Sequence, residues 1–267
     1  MRGILFDLDG VLYNASQLIA GAVEAVEWVQ RRNIPYLFVT NTTSRPRAAL
    51  VEKLCSFGFA ASEEAILTPA VAAAEWLRTQ QPKNVALFVR PATRAEFAGL
   101  SCLPDHGETG ASYVVVGDLG VHWDYPTLNR AFRLLHSNRD AQIIALGMTR
   151  FWQTEDGVSL DVAPFVAALE RASGRKALVF GKPAEPFFHA ATKRLGLAPA
   201  DTLMIGDDIE TDIGGAQSAG LYGALVRTGK FRASDLNGLV RPSTVLDSIA
   251  DLPDWWTTRR PTLSTNL

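Results

Sequence analysis

The chain has 267 residues, 47% of them hydrophobic and 20% charged, with 26 basic side chains against 28 acidic ones. That length suits one large domain or two modest ones, and the apolar content excludes wholesale disorder. A formal charge of −2 leaves no basic surplus for nucleic acid, and no apolar stretch approaches the roughly 18–20 residues of a membrane span. The opening Met1-Arg2-Gly3 meets Ile4-Leu5-Phe6, which Asp7 cuts short, so it does not read as a signal peptide. The two cysteines, Cys55 and Cys102, are too few for a disulfide scaffold and have no metal-ligand spacing. They are expected to be reduced, buried thiols of a cytoplasmic protein.

Short apolar runs alternate with helical patterns. Ile4-Leu5-Phe6 and Tyr36-Leu37-Phe38-Val39 open the series, followed by Val114-Val115-Val116, Ile143-Ile144-Ala145-Leu146, Ala177-Leu178-Val179-Phe180 and Leu203-Met204-Ile205. Unbroken apolarity of this kind predicts strands of a parallel sheet covered on both faces. Thr68-Pro69 predicts a helix N-cap followed by a proline in the first turn, and Pro186 repeats the signal. Leu128, Ala131, Phe132 and Leu135, and again Val162, Phe165, Val166 and Leu169, recur at the helical spacing. Gly58, Gly174, Gly196 and Gly220 follow helical patterns, where a left-handed residue ends a helix. After Asp254 the tail has no clear period. It is expected to pack by Trp255 and Trp256 and to fray from Arg259 on.

The sum is an α/β fold with a Rossmann-like parallel core and right-handed crossovers. Polar strand ends cluster near residues 7, 40, 182 and 207, and the long interval between the second and third has strands and helices of its own. Residues 69–176 are therefore read as an α/β domain inserted into a core made of residues 1–68 and 177–267. Pro82-Lys83-Asn84 and Ser173-Gly174-Arg175-Lys176 read as exposed turns.

In doubly wound sheets ligands bind outside the carboxyl ends of the strands. Those ends deliver Asp7-Leu8-Asp9-Gly10, Thr40-Asn41-Thr42, Gly181-Lys182-Pro183 and Gly206-Asp207-Asp208, with Asp212 following. Taken singly, each has an ordinary structural reading as a turn, a helix cap or a solvated lysine. Together they suit phosphoryl chemistry. Asp7, Asp9 and Asp207 form an oxygen-rich set of the kind that hard divalent ions such as Mg²⁺ prefer. The Thr40 hydroxyl and the Lys182 ammonium match phosphoryl oxygens. One aspartate can attack phosphorus and carry it covalently, while the other protonates the leaving oxygen and then takes a proton from water.

The run Asp7-Leu8-Asp9-Gly10-Val11-Leu12, with Val39-Thr40-Asn41, Gly181-Lys182-Pro183 and Gly206-Asp207-Asp208-Ile209-Glu210-Thr211-Asp212, resembles the motifs of the haloacid dehalogenase superfamily. The large insertion resembles subfamily IIA, the NagD-like phosphatases with an α/β cap. Asn129–Phe132, Leu160–Phe165, Gly214–Gln217 and Val226–Arg232 resemble a branch of that subfamily that includes a phosphatase of P–N and P–O–P bonds. The resemblance implies Asp7 as nucleophile and Mg²⁺ ligand, Asp9 as general acid/base with its carbonyl on the metal, and Asp207 as a direct ligand. It implies Thr40 and the Asn41 backbone amide as holders of the phosphoryl oxygens, Lys182 as the group that neutralises the nucleophile and phosphoryl charge, and Asp208 and Asp212 as holders of metal-bound water. Dehalogenases of the superfamily lack the acid/base at the Asp9 position, so the resemblance favours phosphate chemistry.

Gly147-Met148-Thr149-Arg150-Phe151-Trp152 resembles the cap's specificity loop, with Arg150 facing an anionic leaving group and Phe151 and Trp152 forming an aromatic wall. The alternative is a surface arginine with both aromatics in the cap core. Arg90 and Arg94 are equally ambiguous, Asp118 reads as a turn residue, and the four histidines share no metal spacing. The substrate is expected to be a phosphorylated small molecule or a phosphoamino acid, and pairing of two copies through the cap is implied by the resemblance. A phosphotransferase or phosphomutase, and a phosphate-sensing scaffold without turnover, are the competing readings.

Overall fold

A computed structural model of the protein describes residues 1–154 and 157–258. The chain runs through β1 (Gly3–Asp7), β2 (Tyr13–Asn14), β3 (Gln17–Leu18), α1 (Ala22–Arg31), β4 (Tyr36–Val39), α2 (Arg47–Ser56), β5 (Ile66–Leu67) and α3 (Pro69–Gln80). It continues through β6 (Val85–Phe88), β7 (Tyr113–Val116), α4 (Tyr125–Ser137), β8 (Gln142–Ala145), β9 (Phe151–Thr154), β10 (Gly157–Leu160), α5 (Val162–Ser173) and β11 (Leu178–Val179). Then come α6 (Glu185–Leu195), β12 (Thr202–Gly206), α7 (Gly215–Ser218), β13 (Tyr222–Val226), β14 (Thr244–Leu246) and α8 (Leu252–Thr258). No helix among the described residues is long and apolar enough to cross a membrane.

Two compact units result. The first contains residues 1–39, 51–66 and the chain from Thr192 on. Its six-stranded sheet has the order β14-β13-β12-β1-β4-β5, and β1 runs parallel to both β12 and β4. Ile4, Leu5 and Phe6, and Leu203, Met204 and Ile205 beside them, are fully buried, which is why these strands have no polar face. From β1 the chain goes to one side for β4 and to the other for β12. The carboxyl ends of β1 and β12 thus flank a topological switch point, where such sheets take their ligands. Helix α1 buries Ala22, Ala25, Val26 and Val29, and α8 packs against it. The tryptophans that showed no period lie in α8, half-buried, their rings edge to face at 6.4 Å. A seven-residue helix is too short to display a period. The fraying expected from Arg259 on lies outside the described residues.

The second unit contains residues 40–50 and 67–191. Its four-stranded parallel sheet, β11-β8-β7-β6, packs on α4 and α5 through Ala131, Leu134, Leu135, Val162, Val166 and Leu169. Trp123 stacks between Phe88 and Phe165, with ring centroids 5.8 and 4.8 Å away. Strands β9 and β10 form a separate antiparallel hairpin.

Two expectations need correction. Leu178 and Val179 are only half-buried, in a two-residue strand at the edge of its sheet that pairs with β8 on one side. Both cysteines are exposed rather than buried. In α2 the buried face is taken by Leu50 and Leu54, and Cys102 lies outside the sheet, bridged only to Val85.

The helix signals hold in detail. Gly58, Gly174, Gly196 and Gly220 all have left-handed φ, and Thr68 Oγ1 accepts the Val71 N–H at 3.3 Å ahead of Pro69. Thr68 is 2% exposed, so water cannot replace that bond. Thr68→Ala should cost about 1–2 kcal/mol in urea unfolding; an unchanged midpoint would mean the cap contributes nothing.

Candidate active site

In the first unit, β1 ends at Asp7 and β12 ends just before Asp207, with Phe6 opposite Ile205 in the ladder. Asp212 is carried by the short helix Ile209–Gly214 that comes next. One carboxylate oxygen from each of Asp7, Asp207 and Asp212 lies within 4.8 Å of the other two, and all three residues are buried. Three like charges so close repel strongly unless a cation joins them. Carboxylate oxygens are the donors that hard divalent ions take, so the residues present fit such an ion.

The local sequence explains the geometry. Asp208 caps the helix, its Oδ1 accepting the N–H groups of Glu210 and Thr211 at 3.1 and 3.0 Å. One turn on, Asp212 Oδ2 accepts the Asp208 N–H at 3.2 Å, which returns its carboxylate toward the strand end. Gly206 makes room for it, since a methyl group there would lie 2.3 Å from Asp212 Cβ. Gly10, with φ +85°, lets the chain after β1 pass Asp207; a methyl group there would lie 2.0 Å from Asp207 Oδ2. Burial pushes the Asp208 carboxyl upward, but the Thr211 N–H and the Lys230 ammonium outweigh it and hold its pKa below the usual range. Partial desolvation pulls the largely exposed Lys230 down, and Asp208, Asp207 and Asp212 together raise it above the ordinary lysine value.

Asp9 stands apart from the three carboxylates. It is exposed, on the turn that Gly10 N–H closes by donating to the Tyr13 carbonyl at 2.7 Å. Asp212, read from the sequence as a more distant holder of water, is placed with Asp7 and Asp207, whereas Asp208 serves as helix cap and partner of Lys230 at 3.3 Å.

In the second unit, Thr40 and Lys182 are buried. The Asn41 side chain holds the Lys182 backbone at both its N–H and its carbonyl. Its Oδ1 accepts the Lys182 N–H at 2.7 Å and its Nδ2 donates to the Lys182 carbonyl at 2.9 Å. Thr40 Oγ1 accepts the Thr42 N–H at 3.2 Å. The segment is braced from Pro91–Phe97. Thr93 Oγ1 donates to the Thr43 carbonyl at 3.0 Å, and the Arg47 guanidinium meets the Glu96 carboxylate at 2.8 Å. These supports have no signal in the sequence, because nothing in a one-dimensional pattern links residues fifty positions apart.

Arg150 is exposed, 5.7 Å over the Phe151 ring. Phe151 and Trp152 are 54% and 43% exposed, so neither belongs to the cap core. Arg90 pairs with the buried Asp118 at 2.8 Å, and Asp118 Oδ1 also accepts the Gly120 N–H, as a turn residue does. Arg94 pairs with Asp105.

The haloacid dehalogenase-like hydrolase family matches residues 4–101, and the HAD-hydrolase-like family matches residues 179–252. The chain is 37% identical to phospholysine phosphohistidine inorganic pyrophosphate phosphatase of Homo sapiens over 259 residues, 95% of this chain and 93% of that protein. The chain belongs to the haloacid dehalogenase-like hydrolases. Among solved structures of the family, p-nitrophenyl phosphatase from Archaeoglobus fulgidus superposes with a TM-score of 0.85 at 28% identity, covering 95% of this chain and 98% of that one. NagD from E. coli K-12 gives 0.84 at 25% identity, covering 94% and 98%. The NagD-like fold and the parallel α/β core are thus those of this haloacid dehalogenase-like hydrolase.

One part of the site lies in Val226–Arg232, a segment with a family resemblance in the sequence but no role read from it. The turn Thr228-Gly229-Lys230 comes after β13 and touches both Gly10 and Asp207. The signal is present as one more apolar run, Ala224-Leu225-Val226, ending in a polar turn, but the exposed Tyr222 and the glycine at 223 obscure it.

Asp208→Ala should cost about 1 kcal/mol at neutral pH, since a helix cap is lost. Because the folded Asp208 has a depressed pKa, its contribution is complete above the ordinary carboxylate range and disappears as pH falls through the lowered value. Unfolding midpoints of native and variant protein should therefore converge in acid. A gap that persists at the lowest pH where both still fold would remove the charge from the account.

Proposed function

We propose that this hydrolase is a Mg²⁺-dependent phosphatase working through an aspartyl phosphate on Asp7. The observation that carries the reading is the buried meeting of Asp7, Asp207 and Asp212 at the switch point of the parallel sheet. Asp7, Asp207 and Asp212, with the Asp9 carbonyl, are the groups we assign to the metal. Bound there, Mg²⁺ would supply positive charge against the phosphoryl oxygens.

The chain's own groups take the remaining roles. A carboxylate oxygen of Asp7 attacks phosphorus and the bond from phosphorus to the leaving atom breaks. Asp9 gives the leaving atom a proton. Asp9 then removes a proton from water, the water oxygen attacks phosphorus, and the Asp7–phosphorus bond breaks to release inorganic phosphate. Thr40, the Asn41 backbone N–H and the Lys182 ammonium are the groups we assign to the phosphoryl oxygens. An exposed Asp9 suits a residue that exchanges protons with water. Residues 69–176 we take as the cap, with Arg150, Phe151 and Trp152 presented to the substrate's leaving group.

The substrate is a phosphorylated small molecule or phosphoamino acid. The human relative's name specifies P–N and P–O–P bonds and supports that class here. The Archaeoglobus protein's name specifies an aryl ester, which keeps phosphate monoesters as the second reading. We place the protein in the cytoplasm and expect two copies to pair through the cap. A phosphotransferase would share every step up to the aspartyl phosphate and differ only in the acceptor. A non-catalytic scaffold fits poorly with the presence of all the acid and lysine positions.

Phosphate release should be tested on pyrophosphate, phosphohistidine, phospholysine, an aryl phosphate and alkyl phosphates, with and without EDTA. Activity should vanish in EDTA, return with Mg²⁺, and be absent in a folded Asp7→Asn variant; turnover by that variant would exclude Asp7 as nucleophile. Asp9→Asn should slow alkyl phosphates by about 10²–10⁴-fold and aryl phosphates much less, because a phenolate leaves without a proton. Equal losses on both would rule out the acid role.

A further inference from the structure

The turn Thr228-Gly229-Lys230 has no part in the chemistry above, yet it is built onto the acidic cluster. Thr228 Oγ1 donates to the Gly10 carbonyl, which ties the turn to the chain leaving β1. The Lys230 N–H donates to Asp207 Oδ2 at 2.7 Å. Between these bonds lies Gly229 with φ +64°, where a methyl group would stand 2.1 Å from Asp207 Oδ2 and 2.6 Å from Gly10 Cα. Asp207 is therefore flanked by Gly10 and Gly229, both in the left-handed region and both without room for a side chain. The Lys230 ammonium reaches forward to Asp208 at 3.3 Å.

A carboxylate that accepts a bond from a fixed backbone N–H is restricted in its rotation. Such supports decide how well a carboxylate coordinates a metal, because they set its orientation before the ion arrives. We infer that the Thr228–Lys230 turn is the positioning element of Asp207. Its backbone fixes the Asp207 carboxylate for a divalent cation, and the Lys230 side chain acts as a standing counter-charge to the acidic cluster. The inference rests on the reading of that cluster as a cation site.

The two parts of the turn act on the cation with opposite signs. Loss of the Thr228 bond loosens the Asp207 support and weakens binding. Loss of the Lys230 charge removes a repulsion and strengthens it. Since the Lys230 side chain is 71% exposed, solvent screens its effect, which should fade in salt.

The test is calorimetric titration of metal-stripped full-length protein with Mg²⁺. Thr228→Val should raise the dissociation constant about tenfold, with Thr228→Ser restoring the native value. Lys230→Met should lower it by about two- to fivefold at low ionic strength and less at high. A general loss of structure would weaken binding in both and would not be rescued by serine. A folded Thr228→Val protein that binds Mg²⁺ like the native one would overturn the positioning role. Unchanged or weaker binding by Lys230→Met would overturn the counter-charge. If the native protein itself takes up no Mg²⁺, the cation reading falls, and this inference with it.

Discussion

The constraint on which the first unit depends is the mutual repulsion of three buried carboxylates. Asp7, Asp207 and Asp212 stand within 4.8 Å of one another, an arrangement that an apolar core would not tolerate unless charge compensation were built in. The compensation is distributed. Backbone N–H groups point at Asp207 and at Asp212, and Lys230 adds a positive charge at the edge. The apolar strands beneath, β1 and β12, supply the rigidity. Their side chains are buried on both faces, so the carboxylates at their ends cannot relax apart without disturbing close-packed neighbours.

Glycine makes the approach of these segments possible. The turn after β1 and the turn after β13 both pass Asp207 at distances where a single methyl group would overlap it. Gly206 serves Asp212 in the same way. The acidic cluster is thus a place where three backbone segments come closer than side chains permit. That is why its glycines carry as much structural information as its aspartates.

Much of this is legible in one dimension. A buried parallel strand announces itself by unbroken apolarity, and ligands bind at its carboxyl end; Asp7 and Asp207 stand out on that ground. Helix boundaries at Thr68 and Gly174 are legible because caps act through neighbours three or four residues away. Asp212 is harder. Whether it or Asp208 faces the strand end depends on the phase of a six-residue helix, which no local pattern specifies. The edge position of β11 and the exposure of Cys55 and Cys102 are illegible for a similar reason, since burial is decided by partners far away in sequence. The turn at Thr228–Lys230 touches Gly10 across more than two hundred residues, a relation that only the folded sheet creates.

The second unit solves a different problem by the same means. Lys182 is buried, and a buried ammonium on a flexible stem needs its backbone held still if it is to meet a charged group reproducibly. The Asn41 side-chain amide supplies this with two bonds to one residue, its oxygen accepting the Lys182 N–H and its nitrogen donating to the Lys182 carbonyl. Gly181, beside it, packs so close to the Leu146 carbonyl that a methyl group would lie 2.8 Å from that oxygen. Asn41 is itself carried by a segment that Thr93 and Glu96 hold at Thr43 and Arg47. Asp207, Asp212 and Lys182 are thus each held by an uncharged neighbour, the Lys230 N–H, the Asp208 N–H and the Asn41 side-chain amide, and glycines give these groups room. In this chain the acidic and basic residues specify what the site can bind, and the uncharged groups around them specify where.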